Sequence, residues 1–144
     1  LKSQVNPHFF FNTLNNLYGL VEQDPAKAQQ LILKLSDMMR YSIYEGQNDW
    51  VTLADEITYL ENYMDLHKMR YHKTIDIRFD AAIEDPSIKI MPLLLIIMVE
   101  NAFKHGIRMG NETYIKIKLV VSDKLLTFEV KNSISKNSNE LASI

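Results

Sequence analysis

Cysteine is absent from the whole 144-residue sequence, which excludes disulfide scaffolds, thiolate nucleophiles and Cys-ligated zinc or iron–sulfur centres. A cysteine-free chain suits any redox compartment. Long apolar runs are also lacking: the longest, Ile90 to Val99, falls short of the about 20 residues a membrane helix needs and contains Pro92. Neither sign of charge dominates, because 16 Lys and Arg face 18 Asp and Glu for a net charge of −2. Such a balance gives no general attraction to nucleic acid or to an anionic surface, so any phosphate site must be local. There is no internal repeat, no initiator Met and no signal peptide. The opening Leu1-Lys2-Ser3-Gln4 already reads as helix interior, and an excised piece of a longer chain is expected.

What is present suits a folded domain. Apolar residues make up 47% and charged residues 24%, near the averages for globular proteins, and the length fits one domain or a small domain with a helical extension. Phe10, Leu14, Leu17 and Val21 carry the spacing of one helix face. Asp24-Pro25 then supplies an N-cap with proline at the first helical position, followed by the stripe Ala28, Leu31, Ile32, Leu35, Met38, Met39, Ile43. The short link predicts an antiparallel hairpin, and its broad apolar stripe predicts a second copy completing a four-helix bundle.

Gly46 reads as a helix C-terminal stop, and the first domain is expected to end at residue 47. Thr52 and Asp55 have capping-box spacing ahead of a long helix with Leu53, Ile57, Leu60, Met64 and Tyr71 on its face. Ile75, Ile77 and Phe79 alternate with charged residues as a strand would. A helix is expected from Pro92 to about Lys104, apolar all round from Leu93 to Val99 as if buried under a sheet. Ile115 to Val121 and Leu126 to Val130 predict a β-hairpin, and the tail from Ser135 to Ser143 is polar. Helices on one face of a mixed or antiparallel sheet make the second part, 48–144, an α+β domain.

Two constellations carry chemistry. His8 follows Asn6-Pro7 and shares a polar helical strip with Asn12 and Asn16. Proline at this point can kink the helix and leave the imidazole on an exposed shoulder. Neutral imidazole, with an unperturbed pKa of about 6.5, is a competent nucleophile toward a phosphoryl group. A solvated or capping histidine is the plainer reading. The second constellation is Glu100-Asn101-Ala102-Phe103-Lys104-His105-Gly106. Its amide can help ligate Mg²⁺, its carboxylate can accept a proton or orient a metal-bound water, and its cations can offset phosphate charge. An ordinary helix C-terminus is the alternative there, with Lys104 and His105 complementing the dipole and Gly106 capping it.

Taken together the two are more specific. The run Leu1 to Leu17, LKSQVNPHFFFNTLNNL, closely resembles the phosphoacceptor box of the LytS/YpdA-type sensor histidine kinases. Pro92 to Gly106 resembles that family's N-box, and Val51-Thr52-Leu53 through Asn62-Tyr63 to Arg70-Tyr71 its connecting helix. The resemblance implies a two-part kinase core. Residues 1–47 would form a homodimerising phosphotransfer hairpin, and residues 48–144 the N-terminal part of an α/β-sandwich ATPase domain of the GHKL, or Bergerat-type, superfamily. His8 would take the γ-phosphoryl group of ATP and pass it to an aspartate of a response regulator, often of LytTR type. Asn101 would hold Mg²⁺, Lys104 and His105 would lie near the phosphates, and Glu100 is a candidate base. The resemblance also implies a cytoplasmic portion of a membrane-bound parent, with no direct contact to nucleic acid.

Three places depart from a common pattern, the first from that of histidine kinases at large and the other two from the resembled family's. Phe9 follows the histidine, as in the resembled family but unlike the many histidine kinases with an acid there. Ile96 and Ile97 replace a common Gln-Pro. Phe128-Glu129-Val130-Lys131-Asn132-Ser133 stands where an adenine-binding Asp-Asn-Gly element is expected, so Asn132 would take the aspartate's place without a charge-assisted acceptor. The sequence ends before any glycine-rich lid, so little or no kinase activity is expected of this stretch alone. Two rival readings stay open: a catalytically silent module for dimerisation or regulator docking, and a superfamily ATPase that does not phosphorylate itself.

Overall fold

The computed structural model describes residues 6–71, 75–106 and 113–133. They fall into two compact units. One gathers the helices before residue 72 together with residues 85–95, and the other gathers residues up to 84 on the first long strand with those from 96 onward.

In the first unit, α1 (Pro7–Gln23) and α2 (Pro25–Tyr44) are joined by a single residue. Asp24 ends one helix, its amide donating to the Leu20 carbonyl at 2.8 Å, and begins the next, its carboxylate accepting from the Lys27 amide at 3.2 Å. A one-residue link between helices that pack on each other forces them to run antiparallel, as the sequence predicts. Phe10, Thr13 and Leu17 of α1 and Ala28, Leu31, Leu35, Met38 and Ser42 of α2 are buried. α3 (Leu53–Tyr71) packs against this inward side, so one side of the hairpin is covered inside a single protomer. Phe9 stacks on Tyr63 with ring centroids 4.7 Å apart, Lys34 pairs with Asp65, and the Ser42 and Tyr59 hydroxyls lie 3.1 Å apart. Each large apolar side chain removed from water here contributes roughly 1.5–3 kcal/mol.

The start of α3 is satisfied from both directions. Thr52 Oγ1 accepts from the Asp55 amide at 3.2 Å, the cap its spacing predicts. Leu53 and Ala54 donate to the carbonyls of Ile88 and Pro86 at 2.8 and 2.9 Å, beside the two-residue pairing of β1 (Val51–Thr52) with β3 (Lys89–Ile90). Gly46 sits in a 3-10 turn, Glu45–Gln47, and not at a left-handed helix stop. A Cβ there would come within 3.3 Å of Leu93 Cδ1, so close packing is its role.

In the second unit, β2 (Ile75–Ile83) runs parallel to β4 (Thr113–Ser122), which pairs antiparallel with β5 (Leu125–Asn132). The order is β2-β4-β5. A parallel pair needs a crossover, and the chain between β2 and β4 carries α4 (Leu94–Gly106). Ile115, Ile117, Leu119 and Val121 on the central strand are buried with Ile75 and Ile77 of β2. Helices followed by a mixed sheet make the chain α+β, as expected. One expectation fails: α4 is not buried all round, since Leu94, Ile97 and Met98 are exposed while Leu95, Ile96, Val99, Ala102 and Phe103 are covered.

Candidate functional site

His8 is exposed in the first turn of α1. Asn6 has extended backbone and its side-chain oxygen accepts from the Phe9 amide at 3.3 Å, so Pro7 opens the helix at its first position. This corrects the kink expected at Pro7: a proline in the first turn breaks no intrahelical bond, because that amide has no partner within the helix. The two residues after His8 hold the backbone beneath it. The Phe9 ring lies 5.3 Å from that of His67 as well as on Tyr63, and Phe10 is buried. No acidic side chain stands in the first turn of α1. Asn12 is exposed and Asn16 half-buried along the same strip. That strip runs into a shallow groove lined by Asn15, Asn16, Gly19, Gln23 and Arg70.

Glu100, Asn101 and Lys104 lie on α4, within a turn of one another. Asn101 and Lys104 are exposed, whereas Glu100 is half-buried, and that burial pushes its carboxyl above the usual range. A raised carboxyl is the direction general-base work near neutral pH requires. His105 is part of α4, but its side chain lies outside the described residues, as do the two ends of the chain, residues 1–5 and 134–144. Asn132 ends β5 opposite Ile115, on the apolar face of the sheet, and its Nδ2 donates to the Ser133 carbonyl at 3.0 Å. His8 belongs to the first unit, and Glu100, Asn101, Lys104 and Asn132 to the second. Among the described residues no group of three or more His, Asp or Glu side chains is arranged to hold a metal ion.

Residues 1–75 match the histidine kinase family profile. The chain belongs to the histidine kinase family. Relatives include the sensor protein LytS of Staphylococcus saprophyticus, 34% identical over 119 residues, which cover 81% of this chain and 20% of the relative. The sensor protein LytS of Staphylococcus haemolyticus is 36% identical over 108 residues, 75% of this chain and 18% of the relative. The sensor histidine kinase/phosphatase LytS of Staphylococcus aureus strain MRSA252 is 31% identical, over 85% of this chain and 23% of the relative. The chain thus spans about a fifth of the length of the curated relatives it matches.

Sequence reasoning missed Glu56, which is buried to 2% exposure. Its Oε2 accepts from the Tyr41 hydroxyl at 2.5 Å and its Oε1 from the Leu94 amide at 3.2 Å. Burial raises its carboxyl, and the hydrogen bonds from Tyr41, Leu94 and Leu93 oppose that rise. In this member of the histidine kinase family an acid at the start of a helix reads as an exposed dipole partner. The overlooked signal is its place on the apolar face, three residues after Leu53 and four before Leu60, where a carboxylate needs partners. His67, on the same face, was missed for the same reason.

Proposed function

We propose that this chain is part of a sensor histidine kinase core that phosphorylates itself on His8 from ATP and passes the phosphoryl group to a response-regulator aspartate. The single observation that supports it best is an exposed imidazole, next in the chain to the half-buried Phe9 that stacks on buried Tyr63, inside the segment that matches the family. The helix N-terminus beneath His8, free of acidic side chains, favours the negative charge that a transferred phosphoryl group brings. In this reading residues 1–47 form the homodimerising phosphotransfer hairpin, and 48–144 the N-terminal part of the ATP-binding domain. Support for the homodimer comes from the apolar stripes that stay exposed on both hairpin helices.

The donor set suits a nucleotide that brings its own cation. Asn101 offers an exposed amide oxygen to Mg²⁺, Lys104 an exposed ammonium and His105 an imidazole to phosphates, and Asn132 hydrogen bonds to adenine. The ion would supply neutralisation of phosphate charge. Glu100 is the candidate base. In this reading the parent is a membrane protein, with this stretch on its cytoplasmic side and a response regulator, of LytTR type, as partner. Among the described residues no helix is long and apolar enough to cross a membrane.

The test is incubation of the intact parent with labelled ATP and Mg²⁺. An acid-labile phosphoprotein is expected, absent in His8→Ala; equal labelling of the variant refutes the assignment. Asn132, in place of an acidic adenine acceptor, favours a second reading, a docking module without nucleotide turnover. A titration with ATP and Mg²⁺ separates the two: saturable binding lost in Asn101→Ala supports the kinase, and no binding supports the module.

A further inference from the structure

Three parts of the chain meet at Glu56, and none of the chemistry proposed above uses it. One carboxylate oxygen takes the Tyr41 hydroxyl from α2, and the other takes the Leu94 amide that opens α4. The Leu93 amide also donates to it. Leu93 itself has φ of 59°, a left-handed conformation that a leucine adopts only under constraint, and its side chain is 3% exposed against Gly46 at the end of α2. The Tyr41 ring is fixed in turn by Tyr59 of α3, centroids 5.3 Å apart.

We infer that Glu56 is a positioning residue: with Tyr41 and Leu93 it clamps the first turn of the helix carrying Glu100 and Asn101 to the second helix of the hairpin. The first amides of a helix have no partner of their own, so a carboxylate that receives them fixes where the helix starts. Asn101 lies seven residues beyond Leu94 on the same helix, about 10 Å along its axis. A shift of α2 that moves the Tyr41 hydroxyl therefore acts on α4 through one carboxylate. Burial and the adjacent Glu56 carboxylate push the Tyr41 phenol far above its ordinary range, so it remains a donor.

The catalytic consequence rests on the kinase reading; the mechanical one does not. Both are tested in the intact parent with Tyr41→Phe, Glu56→Ala and Glu56→Gln. In Tyr41→Phe, amide hydrogen exchange at Leu94 and along residues 96–101 should quicken by at least about threefold, and in Glu56→Ala by about tenfold or more. Glu56→Gln still accepts from Leu94 and meets the Tyr41 hydroxyl, so it should stay near the wild type. His8 labelling should slow in the same order, through kcat with KM for ATP unchanged, at a temperature where circular dichroism shows each variant fully folded, so that a smaller active fraction does not account for it. Unaltered α4 exchange in Tyr41→Phe overturns the inference even if Glu56→Ala fails to fold. So does a KM that rises as kcat falls. If the wild type does not label at all, the kinase reading fails, and the exchange measurement still decides whether the clamp exists.

Discussion

His67 shows what a polar residue on an apolar helix face does to the chain around it. Burial pushes its imidazole pKa down from 6.5 to about 3, and Arg70 adds to the effect. The native state therefore keeps the ring neutral, between Phe9 and Tyr63, at centroid distances of 5.3 and 4.6 Å. Unfolded, the same ring binds a proton below about pH 6.5. Between pH 6.5 and about 3 the unfolded chain holds more protons than the folded one, so stability must fall as pH falls through that window. Urea unfolding from pH 7 to 4 should show a wild-type midpoint that drops more steeply than that of His67→Phe, which keeps an aromatic ring without the titration. Parallel curves would mean that the ring is solvated. Because Phe9 directly follows His8, this packing also fixes the backbone that presents the proposed acceptor.

At the scale of elements, local chemistry and the pairing of neighbours in the chain were readable, and long-range pairing was not. Asp24-Pro25 and Thr52 acted as caps where their spacing put them, since a cap needs only its own three or four neighbours. The alternation from Ile115 to Val121 became β4 because period two with one buried face leaves few other options. By contrast, nothing in α1 or α2 says that α3 will cover them, and a pairing of two residues, β1 with β3, is too short to leave a period. The exposure of Leu94, Ile97 and Met98 was hidden because a continuous apolar run has no periodicity to interpret. At the candidate site, the exposure of His8 was legible from its polar strip, while the burial of Glu56 required knowing which helix faces its carboxylate. The turn between β4 and β5 offers a check at this scale. Asp123 and Lys124 both have positive φ, 50° and 64°, the mirror-image hairpin geometry that normally recruits Asn-Gly. The Glu84 carboxylate steadies it, accepting from the Asp123 amide at 3.3 Å. Replacing Lys124 by Gly removes a left-handed strain that exceeds the added chain entropy, so it should stabilise by about 0.5 kcal/mol, read as a higher denaturant midpoint.

For the molecule as a whole, the apolar surface left on the hairpin requires an explanation. The apolar residues of α1 and α2 divide into two stripes. Phe10, Leu17, Leu31, Leu35 and Met38 turn inward, whereas Phe11, Leu14, Tyr18 and Val21 on α1 and Ile32, Met39 and Ile43 on α2 remain open to solvent. Exposed residues spaced three, four and seven apart form helical stripes, a pattern that solvent alone does not favour. A second copy laid against them would complete four helices around a shared core, the arrangement proposed for the kinase dimer. Leu14→Glu with Met39→Glu tests this without touching the inward stripe. Both positions are solvent-exposed in one protomer, so the double variant should keep its helical circular dichroism and its thermal transition when monomeric. In the dimer the same carboxylates would be buried without partners, which is costly enough to raise the dissociation constant at least about 100-fold, roughly 2.7 kcal/mol. Light scattering should then report a dimer for the parent sequence and a monomer for the variant at the same concentration. A variant that stays dimeric would place the contact on some other face and leave these stripes to a different partner.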